Sequence, residues 1–244
     1  MVNMTVNVES KNQKSELFSI SLLAELREIA DPEKAKMQEA YMKNKMSFLG
    51  VAAADVKQVS TKLCKSYSPE NNNEYRHLIY YVFNNAQYRE EWYAVLRYCI
   101  RFNKFITIEN IDLYMDMILK SQWWDIVDGI ATNLMGPALL DHANIESLLM
   151  DWVKHHNMWV RRTSLLTQLK YKNCTDFNLL ARIISLTMDE KEFFIRKAIG
   201  WALRQYSYTN PDAVLGLIKS STYRLSNLSK RESLKGLKRM GITI

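Results

Sequence analysis

The alternation of hydrophobic and polar positions predicts helices along most of the chain. Apolar residues recur every three or four positions in segments such as IENIDLYMDMIL, NIESLLMDWV and DFNLLARIISL, a spacing that places them on one face of a helix. Gly and Pro are scarce, at 7 and 4 residues. A first helix is predicted over residues 18–29, ended by Asp31 and Pro32, which then begin the next helix as cap and first-turn proline.

Helix starts recur at a nearly constant spacing in the second half of the chain. First helices are predicted near Glu109, Asn144, Asp176 and Asn210, which are 32 to 35 residues apart. Each is followed by a second helix, starting near Trp123, Trp159, Phe194 and Ser229. The last start, SKRE, has the form of a capping box. Helix pairs repeating at this length predict an all-α fold, an α-solenoid of HEAT-like pairs curved into a C, with an irregular helical bundle as the alternative.

Superposing the second helices by their period brings four side chains onto one face. With Trp124 as position 0, Asp128 is +4, Arg162 is +3 in the next repeat, and Trp201 is +7 in the repeat after that. Positions 0, +3, +4 and +7 share a helix face. The same spacing also describes an ordinary core face, and Asp128 and Arg162 could form a purely structural ion pair, since buried charges need partners.

This face suits chemistry on a cationic base. A purine alkylated at N3 or N7 is positively charged, and indole faces attract cations. A carboxylate near the sugar could stabilise an oxocarbenium-like transition state and orient water, and an arginine could clamp a phosphate. No Cys/His cluster has the short spacing of a zinc site, so we expect neither a metal nor a cofactor.

Charge is concentrated at the C-terminal end. The formal net charge is +7, and eight basic residues face two acidic ones, Asp212 and Glu232, between residue 201 and the end. The basic residues are Arg204, Lys219, Arg224, Lys230, Arg231, Lys235, Lys238 and Arg239. A basic end on a folded domain suggests nucleic acid or an anionic membrane as partner, or simply a soluble surface.

Two further features concern compartment and boundaries. The three cysteines, Cys64, Cys99 and Cys174, are far apart, which is typical of buried, reduced thiols rather than a disulfide framework. No apolar run has the length of a membrane span, and residues 1–16 are too polar for a signal peptide. We therefore expect a soluble, cytoplasmic monomer with a polar, flexible arm over residues 1–16 and a single domain over 17–244.

Six segments resemble one known family. They are AYMKNKMSFLG at 40–50, QWWDIVD at 122–128, WVRR at 159–162, QLKYK at 168–172, EFFIRKAIGW at 192–201 and LSKRE at 228–232. In order and spacing they resemble the HEAT-repeat DNA-alkylation-repair glycosylases of the AlkD-like group, over roughly residues 20–240. The WWDxVD and KAIGW segments are the most specific of the six.

The resemblance implies a role for each matching residue. Asp128 would be the catalytic carboxylate, Trp124 would contact the lesion-bearing nucleotide, and Arg162 would support Asp128 and the DNA backbone. Tyr41 and Trp201 would flank the DNA. Two further DNA-binding candidates are Lys170 of the QLKYK segment and Arg204 of the basic end.

The implied activity is excision of cationic N3- and N7-alkylpurines from double-stranded DNA, with the lesion left stacked instead of flipped into a deep pocket. Two alternatives remain open from the sequence. One is a non-catalytic HEAT scaffold that binds nucleic acid or protein, and the other is a relative that senses damaged or branched DNA without excision.

Overall fold

The computed structural model describes residues 2–220 and 223–242, with side chains from residue 13 onward. Every regular element in these ranges is helical, which confirms the all-α prediction. The chain forms two compact units, Met1–Leu113 and Tyr114–Ile244. No helix in the described ranges is long and apolar enough to cross a membrane. The predicted C-shaped curvature and the single-domain boundaries remain predictions.

The first unit packs its helices around an apolar and aromatic core. Its helices are α1 (Val2–Glu28), α2 (Pro32–Tyr41), α3 (Ala53–Ser66), α4 (Asn72–Asn85) and α5 (Arg89–Arg101), followed by 3-10 turns at Asn103–Phe105 and Ile108–Asn110. Phe18 is fully buried on α1, and its ring lies edge-on to Tyr67 and Tyr98 at 5.5 and 5.6 Å. Aromatic pairs in these orientations add stability beyond their buried area.

The first helix begins much earlier than the sequence predicted. Helix α1 starts at Val2, so the backbone of residues 2–16, interpreted as a flexible arm, is helical. Within that stretch, Ser15 is buried and its hydroxyl hydrogen-bonds His77 Nδ1 at 2.8 Å. Lys14 Nζ donates to Glu74 at 2.9 Å. Lys14 and Ser15 therefore bind side chains of α4, which the hydrophobic spacing did not predict.

A buried carboxylate fixes the loop that follows α2. Glu90, fully buried near the start of α5, accepts hydrogen bonds from the backbone N–H groups of Leu49, Gly50 and Val51 at 3.0 to 3.1 Å. Gly50 has a φ of 82°, and a Cβ there would lie 2.0 Å from the carbonyl oxygen of Asp31. Only glycine fits this close backbone contact.

The second unit repeats the predicted helix pairs. The first helices are α6 (Ile111–Ser121), which begins just before the unit boundary, α9 (Ile145–Trp152), α11 (Phe177–Thr187) and α13 (Pro211–Lys219). The second helices are α7 (Trp124–Ile130), continued by a π-helical turn (Ala131–Met135) and α8 (Gly136–Leu139), then α10 (Met158–Leu166), α12 (Phe193–Ser207) and α14 (Asn227–Arg239). Helices α7, α10, α12 and α14 contact one another in sequence, and α9 contacts α11. Stacking like-with-like in two layers is the arrangement of an α-solenoid.

The predicted cap at Asp31 is present, and the predicted capping box at Ser229 is wrong. The side chains of Asp31, Asp176 and Asn210 each accept a first-turn backbone N–H. The SKRE capping box does not form, because Ser226 caps α14 one turn earlier. The Ser229 hydroxyl instead donates to the carbonyl of Arg196 at 2.9 Å. Ser229 therefore bonds to α12 and does not cap α14.

The prediction of three buried thiols is correct for two of them. Cys64 and Cys99 are buried, and Cys174 is exposed. Burial raises the pKa of Cys64 to about 11 and that of Cys99 to about 12. Cys174 lies at the end of the 3-10 turn Lys172–Cys174, outside the core.

Candidate functional site

Asp128 and Arg162 form a buried, bidentate ion pair between adjacent second helices. Arg162 Nε donates to Asp128 Oδ1 at 2.7 Å, and Arg162 Nη2 donates to Oδ2 at 2.8 Å. Only 12% of the Asp128 side chain and 5% of the Arg162 side chain are exposed. Such forked pairs combine strong charge-assisted hydrogen bonds with a fixed mutual orientation. Superposition of the repeats thus correctly placed these two side chains on one face.

The Arg162 guanidinium also contacts the start of the next second helix. Arg162 Nη1 donates to the carbonyl oxygen of Phe194 at the start of α12, and the guanidinium carbon lies 5.9 Å from the Phe194 ring centroid. Arg162 therefore links α7 to α12 through α10. Its donors point toward protein acceptors, which leaves little of the side chain to reach a DNA phosphate.

Burial controls the protonation of Asp128. Desolvation raises the pKa of this carboxyl, while the hydrogen bonds and positive charge of Arg162 oppose the rise. The negative charge of Asp125 also favours the protonated form. Carboxyl groups whose pKa is shifted in opposite directions by burial and by a charged neighbour are common at functional sites.

The helix that carries Asp128 changes its winding directly after it. Residues 131–135 form a π-helical turn, and Thr132 Oγ1 donates to the backbone carbonyl of Asp128 at 2.8 Å. π-helical turns inside α-helices often occur at functional sites. The hydrophobic pattern did not predict this turn, because the apolar spacing continues through it.

Three aromatic rings near the starts of the second helices contact one another. Trp123 lies 5.8 Å from Trp159 and 5.2 Å from Phe194, and Trp159 lies 4.9 Å from Phe194, measured between ring centroids. All three occupy the beginnings of successive second helices. These residues were predicted from sequence only as helix starts, and the contact between their rings was missed. Their common position in the repeat was a sufficient signal for that contact.

Both predicted tryptophans are partly accessible. Trp124 is the first residue of α7, and Trp201 lies in the middle of α12; each is half-buried. Trp124 and Asp128 share a face of α7 because they are four residues apart. Half-buried indoles keep a ring surface that a ligand can contact.

Arg204 lies one turn after Trp201, and a buried carboxylate holds it. Its Nη1 donates to Glu232 Oε2 at 3.2 Å, and Lys197 and Lys235 contact the other oxygen of Glu232 at 3.1 and 2.7 Å. Burial opposes ionisation, but the hydrogen bonds and charges of Lys235 and Lys197 keep the pKa of Glu232 below its ordinary value. Part of the C-terminal charge is thus neutralised within the protein.

Lys170 is exposed in the turn after α10. Its Nζ donates to Asn133 Oδ1 at 2.5 Å. Asn133 belongs to the π-helical turn that follows Asp128. Lys170 therefore lies on the side of the second unit where α7 continues beyond the carboxylate.

Tyr41 belongs to the first unit. It is the last residue of α2 and is 70% exposed. It borders a groove of about 440 Å³ whose other walls are mainly apolar residues of α3 and α5. After it, Lys43 and Asn44 adopt positive φ values of 58° and 52° and turn the chain back. Its predicted place beside the DNA, together with Trp201, stays a prediction.

Comparison with known proteins shows the family of the chain. The sequence model of the DNA alkylation repair enzyme family matches residues 22–237. The chain belongs to this family. A solved structure described as a predicted DNA alkylation repair enzyme from Enterococcus faecalis is 31% identical, with a TM-score of 0.77, over 85% of this chain and 96% of that one. No match to a curated protein was found.

Membership in the DNA alkylation repair enzyme family gives the protein a role in the repair of alkylated DNA, with DNA as its substrate. Six of the seven site residues predicted from sequence lie in the second unit of this repair enzyme, and Tyr41 lies in the first. Two of the six, Asp128 and Arg162, are in direct contact. Their individual roles are part of the proposal that follows.

Proposed function

We propose that this protein is a DNA glycosylase that hydrolyses the N-glycosidic bond of cationic purines alkylated at N3 or N7 in double-stranded DNA. The buried Asp128–Arg162 pair, on a face with the half-buried Trp124, carries the proposal. A positively charged base is already a good leaving group, so the enzyme has to stabilise the sugar cation that remains. A fixed carboxylate in a desolvated site is suited to that task.

Asp128 would stabilise the positive charge that develops on the sugar as the bond to the base breaks. Each carboxylate oxygen accepts one N–H from Arg162 and keeps further lone-pair directions for the sugar or an attacking water. The water attacks the anomeric carbon and loses a proton, and the neutral alkylated base leaves with the bonding electrons. This is the charge pattern of glycoside hydrolysis.

Arg162 acts as a positioning residue in this proposal. Its guanidinium keeps the carboxylate in one orientation and opposes protonation, although burial favours the protonated form. With 5% of the side chain exposed, the phosphate clamp suggested by sequence receives no support from this geometry. Trp124 would contact the charged base or its nucleotide through the indole face, an attraction worth about 0.5–2 kcal/mol depending on desolvation.

Replacing Asp128 tests the proposal directly. Asp128→Asn keeps the size of the side chain and one acceptor but removes the charge. We expect single-turnover release of 7-methylguanine from methylated duplex DNA to fall by about 100- to 1000-fold, the usual cost of one electrostatic group in a transition state. Some activity should remain, because the alkylated base departs partly unaided.

The neighbouring ion pair supplies a matched control. Arg161 donates to both oxygens of Glu190 at 2.9 and 2.7 Å from the adjacent position of α10. Glu190→Gln therefore weakens a similar bidentate pair outside the proposed site, and we expect near-normal excision per folded molecule.

Thermal melting of the same preparations separates the alternatives. A folded Asp128→Asn protein with near-normal excision would show that the pair is only structural. Wild-type protein that binds alkylated duplex without releasing the base would favour the non-catalytic scaffold or damage sensor.

A further inference from the structure

A second cavity lies beyond the ion pair, at the C-terminal ends of α10 and α12. It has a volume of about 350 Å³ and is bordered by the 3-10 turn Lys172–Cys174. Its polar lining residues are Gln168, Lys172, Asn173, Thr175, Gln205, Tyr206, Tyr208 and Thr209, and the rest of the lining is apolar. No carboxylate lines it, and Lys172 supplies a positive charge.

Most polar side chains that line this cavity make no hydrogen bond to another described residue. Within the described part of the chain, the side chains of Lys172, Asn173, Thr175, Gln205 and Thr209 make no hydrogen bond or ion pair. Four neutral polar side chains and one ammonium thus face a concave space without protein partners. Such a set offers several donors to an anion and no negative charge to repel it.

The turn that forms one wall is held in place by its surroundings. Lys172 adopts a left-handed backbone with φ of 53°, a conformation that costs energy for a residue with a Cβ. Buried Tyr171 donates its hydroxyl hydrogen to the carbonyl of Gly136 at 2.7 Å. The Gln168 side chain accepts from the backbone N–H of Asp176 at 2.8 Å and donates to its carbonyl at 3.3 Å. The wall is therefore preorganised, which lowers the entropic cost of binding.

The cavity continues the face that carries the candidate site. On α12, Trp201, Gln205 and Tyr208 are spaced i, i+4 and i+7, so they share one face. A rise of 1.5 Å per residue places Gln205 and Tyr208 about 6 and 10 Å beyond Trp201 along the helix axis. Phosphates of one DNA strand advance by about 3.4 Å per nucleotide. A strand running along α12 past Trp201 would therefore bring a phosphate two or three nucleotides away to the cavity.

We propose that this cavity binds a phosphodiester of the DNA strand on one side of the alkylated nucleotide, with Lys172 providing the charge and Asn173 and Gln205 the neutral donors. The inference rests on the proposed function for the position of the alkylated nucleotide. The binding of a phosphate is inferred from the cavity alone.

The salt dependence of DNA binding tests the charge. Each neutralised phosphate contributes about 0.9 to the slope of log K against log salt on duplex DNA. We expect Lys172→Gln to reduce the magnitude of that slope by about 0.9 on undamaged duplex. Lys154→Gln, which removes the same charge from an exposed position in the same unit, should leave the slope unchanged. Equal slopes for Lys172→Gln and wild type would overturn the proposal.

Cys174 provides a second readout that needs no activity. It is the exposed thiol between two lining residues, and the other two cysteines are buried. We expect saturating duplex DNA to slow its modification by N-ethylmaleimide several-fold, as measured by intact mass, and expect Lys172→Gln to weaken that protection. Modification at the same rate with and without duplex would overturn the proposal. Equal protection by a free mononucleotide would assign the cavity to that ligand and also overturn it.

These measurements are independent of base release. If the wild-type protein excises no alkylpurine, the glycosylase proposal fails while the slopes and the protection of Cys174 still decide the phosphate site.

Discussion

Asp128 and Arg162 form an energetically demanding contact for a purely structural role. Taking two charges out of water costs several kcal/mol each before their attraction is counted, and apolar replacements of buried pairs are often neutral or stabilising. Removing one partner alone is costly, at about 3–5 kcal/mol, because the other charge stays buried. A buried pair on a partly accessible face is therefore better explained by a role in catalysis than by a contribution to stability. The protonation of Asp128 should then govern the rate of base excision.

Excision should lose rate in mild acid. Burial raises the pKa of Asp128, so the folded protein takes up this proton at a higher pH than an exposed aspartate, whose pKa is about 3.9. Only the ionised carboxylate stabilises a sugar cation. Single-turnover rates measured between about pH 4 and pH 8 should therefore fall as pH decreases through a value above 3.9. A rate that is flat down to about pH 4 would contradict the raised pKa or the role of this group.

At the scale of helices, the close contact between α12 and α14 depends on two glycines. A Cβ on Gly200 would lie 2.5 Å from Glu232 Cβ and 3.0 Å from the carbonyl oxygen of Ser229. A Cβ on Gly236 would lie 2.2 Å from Ser207 Oγ and 2.8 Å from the carbonyl oxygen of Arg204. The approach of the two backbones is what places Glu232 within reach of Arg204.

Gly200→Ala should destabilise the protein although alanine is the better helix former. Overpacking of this kind costs about 1–3 kcal/mol, which exceeds the gain of about 1 kcal/mol from helix propensity. Gly216→Ala on α13 is the control, because a Cβ there meets nothing within 4 Å. Denaturant unfolding should show lower stability for the first variant and equal or higher stability for the second. Two stabilised variants would mean that α14 is not held this closely.

Some features of these helices could be predicted from the sequence, and others could not. The first helices of the repeats begin within about two residues of their predicted starts, because caps such as Asp176 and Asn210 act locally. Asp128 and Arg162 were placed on one face correctly because a constant repeat length preserves helix faces. The hydrogen bond of Ser229 joins segments 33 residues apart, which local patterns do not contain. The π-helical turn at 131–135 and the early start of α1 are likewise not marked by the apolar spacing.

At the scale of the whole molecule, net charge overstates the free positive surface of the C-terminal end. Glu232 alone contacts Lys197, Arg204 and Lys235, and Asp189 pairs with Arg224 at 2.8 Å. Lys238 and Arg239, near the end of α14, are exposed. They are among the exposed tail cations that neither Glu232 nor Asp189 holds in the described part of the chain.

Neutralising Lys238 and Arg239 should weaken the salt dependence of DNA binding. If both contact phosphates, the double variant Lys238→Gln/Arg239→Gln should lower the magnitude of the slope by up to about 1.8. Lys235→Gln should have a smaller effect, since Glu232 holds this ammonium at 2.7 Å. Binding measured over a salt series on undamaged duplex checks both. An unchanged slope for the double variant would leave the tail as a solvated surface.

The carboxylate of Glu90 has a consequence for amide hydrogen exchange. The amides of Leu49, Gly50 and Val51 lie in a loop, yet each is buried and bonded to a side chain some forty residues away. Exchange there requires separation of the loop from the start of α5, so these amides should exchange together and as slowly as core helix amides. Mass spectrometry of peptides over residues 43–52 should show faster exchange at exposed Ser47 and strong protection from Leu49 to Val51. A loop without regular secondary structure would then report the opening of the first unit's core.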